Sequence, residues 1–138
     1  MVAIKSLRDG LKTRLATVTA PNGKTLHAYD TWPGSAMVPA AIVMPKSWEW
    51  RSLDGTLKLY RFEITVAVQV GNLASGQDEA DDLASDTGTA SIEAALFGDE
   101  TLGGVAQNIE RVAMHSYGEL EIGTIVCLGF VFDVDVVA

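Results

Sequence analysis

The chain has 138 residues, 48% of them hydrophobic, with 10 Lys/Arg against 18 Asp/Glu and a formal charge of −8. That length and apolar content fit a single domain over 1–138 with a sizeable core, and they exclude a disordered tail. The acidic balance argues against general nucleic-acid binding, and no apolar run is long enough to cross a bilayer. With no signal-peptide h-region, a soluble protein made in the cytoplasm is expected.

From the start of the chain, Ile4, Leu7, Leu11, Leu15 and Val18 form a helical stripe, with Lys5, Arg8, Lys12 and Arg14 expected to face water. Pro21-Asn22-Gly23 is a turn, Leu26 to Trp32 reads as a strand, and Pro33-Gly34 ends it. Ala40 to Met44 is a short apolar strand between Pro39 and Pro45, placed near a sheet edge by its prolines. Ser52-Leu53-Asp54-Gly55 has hairpin-turn chemistry.

That turn opens a long strand from Leu57 to Val70. Tyr60, Phe62, Ile64, Val66, Val68 and Val70 share one face, with Arg61, Glu63, Thr65 and Gln69 on the other. Ser75 and Asp78 read as a capping-box-like start to a helix running through Ala80, Leu83, Ala84 and Ala90 to Leu96. Gly98 is expected to close it in a left-handed cap, and Gly103-Gly104 to make the turn that follows. Asn108 to Tyr117 is another long strand, with Gly118 to Gly123 its turn. The last strand points Val126, Leu128, Phe130, Phe132, Val134 and Val136 inward, and Asp133 and Asp135 outward.

Two helices on one face of a mostly antiparallel sheet, an α+β fold, is the economical packing. A fourteen-residue strand spans roughly 46 Å, longer than a domain of this size is wide. A projecting β-hairpin is therefore expected, or else a bulge at Gly129.

The order of these parts resembles the tail terminator (tail completion) proteins of long-tailed bacteriophages, especially those of actinobacterial phages. The matching features are the N-terminal helix Leu7–Thr17, then Val38-Pro39-Ala40-Ala41-Ile42-Val43-Met44-Pro45 and the strand 57–70. They continue with Ser91-Ile92-Glu93-Ala94-Ala95-Leu96, Thr101-Leu102-Gly103-Gly104 and Leu128-Gly129-Phe130. The resemblance spans nearly the whole chain. It implies a structural virion protein at the head-proximal end of the tail, assembled in the host cytoplasm. As a homo-oligomeric, hexameric ring it would cap the tail tube protein, meet a head-side connector or stopper, and let genomic DNA pass without sequence-specific binding. A head-completion or neck protein is the alternative within that class.

The residues themselves add an electrostatic clue. Residues 1–61 hold 9 Lys/Arg and 4 Asp/Glu, and residues 62–138 hold 1 and 14, so the two parts carry +5 and −13. Such a split suits surfaces of opposite sign in charge-steered self-assembly, although acids that only solvate a helix explain it as well. Lys5, Arg8, Lys12 and Arg14 on one side and Asp78, Glu79, Asp81, Asp82 and Asp86 on the other are candidate facing surfaces. The acids could instead line a ring lumen. Trp48 and Trp50, on one side of an extended segment, are either a contact hot spot or cover for the core edge.

An enzyme would need convergent groups. A small α+β hydrolase or ligand-binding domain would use His27, Asp30, His115 or Cys127. Cys127 sits in a strand with nothing to activate a thiolate, so no catalytic role is expected. No cofactor is expected, and no metal site, because the acids of 78–86 lack the spacing of a calcium loop.

Overall fold

A computed structural model describes residues 3–34, 37–51, 55–69, 73–122 and 125–138. Five strands form one sheet in the order β1-β2-β3-β5-β4. They are β1 (His27–Tyr29), β2 (Ala40–Trp50), β3 (Lys58–Gln69), β4 (Asn108–Ile122) and β5 (Ile125–Val137). Only β1 and β2 run parallel; the other pairs are antiparallel. The fold is α+β, with helices α1 (Ile4–Leu15), α2 (Leu73–Ala84) and the short α3 (Ile92–Phe97).

The centre of the α1 stripe is buried as its spacing requires, while Ile4 is exposed and Val18 lies beyond the helix end. Leu7, Leu11 and Leu15 are fully buried, with Ala80 and Leu83 of α2 and Ile92 and Leu96 of α3 in the same core. Beneath them lie Val43, Phe62, Ile64, Val66, Phe130, Phe132, Val134 and Val136 from the three central strands. Strand alternation sends these residues to one side and their neighbours to the other, so one face of the sheet bears helices and the other stays open.

Several boundaries differ from the sequence reading. The expected single helix from Ser75 to Leu96 is two helices, and α2 begins at Leu73, so Ser75 lies inside it and is no cap. Between the helices, short polar side chains bond the backbone in place of a helical ladder. Ser85 Oγ donates to Thr87 O at 2.8 Å, and Ser91 Oγ to Ser85 O at 2.6 Å. Ser91 is the N-cap of α3, its hydroxyl accepting from the Ala94 amide at 3.0 Å.

Gly98 is not left-handed: its φ is −66°. Its small size serves a close approach instead, since an added Cβ would stand 2.6 Å from Nη2 of Arg14. That guanidinium donates to the Ala95 carbonyl from Nε at 2.9 Å and from Nη2 at 2.7 Å. A cation thus closes the carboxyl end of α3, where the helix dipole favours it. The left-handed residues come later: Leu102, Gly103 and Gly104 at φ 50°, 75° and 96°.

The first strand stops at Tyr29 rather than Trp32, because the next carbonyl, Asp30 O, accepts from Arg8 Nη1 at 3.0 Å instead of from a ladder. The second runs past Met44 to Trp50. β1 pairs with β2 only as far as Ile42, so beyond it that side of β2 is unpaired and Pro45 is tolerated there. From Pro45 to Trp50 every residue of β2 is exposed, although Leu59 and Tyr60 opposite them on β3 are buried. The Ser52–Asp54 part of the turn, Val70 and Gly123 lie outside the described residues.

Gly118 is not a turn residue. It pairs with Gly129, and β4 continues to Ile122. A bulge lies just before Gly118, inside the expected strand: the register shifts between His115 and Gly118, and Ser116 adopts φ 59°. The bulge therefore lies in β4, across from the expected site at Gly129. Val126 is 51% exposed rather than inward, since it lies past Cys127, where the pairing of β5 with β3 ends.

Candidate functional site

Alternation on four adjacent strands builds a charged ladder on the open face. Glu63 of β3 lies directly opposite Asp133 of β5, and Arg61 opposite Asp135. Lys46 Nζ reaches Glu63 Oε1 at 3.1 Å, and Arg61 Nη2 reaches Glu49 Oε1 at 3.3 Å. Asp135 is buried beneath two arginines, with Arg61 Nε at 3.8 Å from Oδ1 and Arg111 Nη1 at 4.0 Å from Oδ2. A further pair joins Arg51 to Glu110. Asp135 points outward as expected, yet the arginine stems shield it from water.

His115 joins the ladder from β4, its Nε2 at 3.2 Å from Asp133 Oδ1 and its Nδ1 at 2.7 Å from Ser116 Oγ. Lys46, Arg61, Arg111, Asp133 and Asp135 line an open groove of about 460 Å³. Sequence reasoning missed this arrangement. Acids and bases at alternate positions of 61–63 and 133–135 were the available signal, but the register that makes them neighbours is a tertiary fact.

Residues proposed as facing surfaces are divided by the structure. Lys5, Lys12, Asp78, Asp82 and Asp86 are exposed. Arg8 and Arg14, expected to face water, are half-buried and spend their guanidinium groups on the carbonyls of Asp30 and Ala95. Glu79 is buried with Lys24 Nζ at 3.1 Å, and Asp81 accepts from the Tyr117 hydroxyl at 2.7 Å. Basic α1 packs on β1, β2 and α3, and acidic α2 on β3, β5 and α3, so the short helix stands between them.

Desolvation, helped by the Asp81 carboxylate, pushes the Tyr117 phenol up to about 12. A side-chain hydrogen bond between Asp9 and Asp30 raises the first above the usual carboxylate range and lowers the second. Asp99 is lowered by the Thr101 hydroxyl and the Gly103 amide, which hold the left-handed turn around it.

Trp48 and Trp50 are about half exposed and meet edge-to-face with ring centroids 6.0 Å apart. Lys58 Nζ lies 3.9 Å from the first centroid and 4.5 Å from the second, a cation–π cluster at the hairpin's free end. Trp48 lies opposite buried Tyr60 and shares a hollow with Ile4, Pro45 and Phe62, so it borders the core while half of it stays exposed.

The enzyme constellation does not converge. Cys127 pairs with Leu120, while His115 pairs with Val131, four residues farther along β5 and about 13 Å away at strand spacing. Burial raises the Cys127 thiol, the opposite of what a nucleophilic thiolate needs. Among the described residues no helix is long and apolar enough to cross a membrane. No protein-family model matches the chain, and no curated protein matches it.

Proposed function

We propose that this chain is a structural assembly protein, a phage tail terminator. It closes as a ring of about six copies on the finished tail tube and meets the head-side connector with its other surface. The observation that carries this reading is the segregation of exposed charge. Lys5 and Lys12 are exposed on α1, which packs over β1 and β2, and Asp78 and Asp82 on α2, over β3 and β5, with Asp86 just beyond it; Asp9 and Asp30 offset the lysines in part. A closed ring needs two different surfaces on each subunit, and opposite charge orients their encounter. The order of helices and strands, like that of tail terminators, is the second support. In this role the protein works by shape and charge, in the virion, and DNA passes through the ring without base-specific contacts.

Native mass spectrometry of the full chain tests the proposal: a closed ring is expected, and a monomer at every concentration and salt overturns it. Each exposed ion pair is worth only ~0–1 kcal/mol, so apolar contacts hold the ring while charge selects its register. Asp78→Lys combined with Asp82→Lys should therefore weaken ring closure. Rings that form normally in that variant while genome passage slows would place the acids on the lumen instead.

A further inference from the structure

We propose that Glu63, His115 and Asp133 form a binding site for a divalent transition-metal ion, zinc above all, on the open face of the sheet. One ligand atom from each of the three lies within 4.8 Å of the others. They stand on β3, β4 and β5, three adjacent strands whose pairing fixes where each side chain leaves the backbone.

A cation would relieve a repulsion at this place. Glu63 and Asp133 are directly opposite each other, and like charges so placed repel. Lys46 answers only the Glu63 side, through Oε1 at 3.1 Å. A second observation comes from the groove that Asp133 and Asp135 line together. The Asp135 side chain is 9% exposed, and among the described residues its Oδ1 accepts no hydrogen bond, with Arg61 Nε only at 3.8 Å. One carboxylate oxygen beside Asp133 thus lacks a hydrogen-bond donor, although Arg61 and Arg111 stand near it.

The geometry fits the ion. Two ligand atoms each about 2.1 Å from a tetrahedral zinc stand about 3.4 Å apart. His115 Nε2 and Asp133 Oδ1 are 3.2 Å apart. The Glu63 carboxylate completes the triad by turning toward them and releasing Lys46, whose side chain is half exposed and free to swing into water. Ser116 Oγ, at 2.7 Å from His115 Nδ1, supplies the outer hydrogen bond that orients a metal-bound imidazole. The β4 bulge puts it there. One imidazole with two carboxylates selects zinc, cobalt or nickel over magnesium or calcium, and three protein ligands leave a position for water. The ion would pin three strands together across the face that carries no helix.

The test is calorimetric titration of the full chain with zinc chloride, with thermal melts in parallel. Expected are saturable binding of one equivalent and a higher melting temperature. His115→Gln and Asp133→Asn should each abolish both effects while circular dichroism stays native. Ser116→Gly suits the left-handed backbone and removes only the hydroxyl, so it should weaken binding about tenfold. His27→Gln, on β1, should bind as wild type. The proposal is overturned by the lack of saturable binding, by binding that survives His115→Gln, by its loss in His27→Gln, or by equal affinity for magnesium.

Discussion

On the helix-bearing face, Phe62, Val66, Phe130 and Val134 are sealed under three helices. One residue along the same strands, Arg61, Glu63, Asp133 and Asp135 form a ladder open to solvent. Both ends of that face are apolar: Ala40, Ile42, Ala67, Ile122 and Cys127 cluster at one, with Val38 and Leu120 packed against them, and Leu59 and Val137 are buried at the other. The contrast separates two tasks on one backbone. Apolar burial on one side holds the fold, and paired charges on the other are left to specify what the surface meets.

The sharpest way to break that contrast is to open a hole on the buried side. Phe130 is fully buried, stacked on Tyr117 at 6.0 Å and edge-on to Phe132 at 5.2 Å. Phe130→Ala should cost about 3–5 kcal/mol in denaturant melts. A loss below 1 kcal/mol would show that the helices can collapse onto the gap.

A smaller effect is expected where the two faces come closest. Gly129 belongs to the open face, and an added Cβ would strike the Val66 carbonyl and the Leu120 side chain. Gly129→Ala should destabilise by about 1–3 kcal/mol through overpacking. An unchanged midpoint would mean that β3 and β5 can part there freely. On the charged side, Asp135→Asn should cost only about 1 kcal/mol, because Arg61 and Arg111 remain half exposed and can turn to water. A loss as large as that of Phe130→Ala would mean that the ladder, too, holds the fold.

The smallest expected effect depends on pH. Tyr117, itself 37% exposed, stacks on buried Phe130 while its hydroxyl bonds Asp81 of α2. Its pKa rises from 10.0 unfolded to about 12 folded, so the fold favours the neutral phenol. That stabilisation is fully present below pH 10 and is lost as pH climbs toward about 12. Tyr117→Phe should lose about 0.5–1 kcal/mol at neutral pH and flatten the decline across that alkaline window. A decline equally steep in the variant would assign it to other groups.

The buried side was legible in the sequence because period-two and helical spacing are written in single residues. The stripe of α1 and the inward rows of β3 and β5 needed no partner to be seen. What could not be read depended on distant partners. Arg14 spaced along a helix looks solvent-facing until α3 arrives to present the Ala95 carbonyl. Ser85 to Thr89 resembled helix because its neighbours do; side-chain bonds to the backbone decided otherwise. Ser116 and Tyr117 read as plain strand and form a bulge, while Gly118 read as a turn and is strand. The open-face cluster of Glu63, His115 and Asp133 joins residues from three strands whose order in the sheet is not their order in the chain.

The register breaks have a consequence for how copies of this chain can meet. β4 is the sheet's outermost strand, and its pairing shifts at 109–111 and again at 115–118. On the opposite side, the uncovered stretch of β2 carries its own shift just after Pro45. Each break twists the strand and misaligns its outward N–H and C=O groups, so neither margin presents a long, straight template for another strand. Backbone zippering into an endless filament is thereby obstructed on both flanks. Copies that associate must do so through side chains, whose fit can saturate, and a contact that saturates is the kind from which a finite object is built.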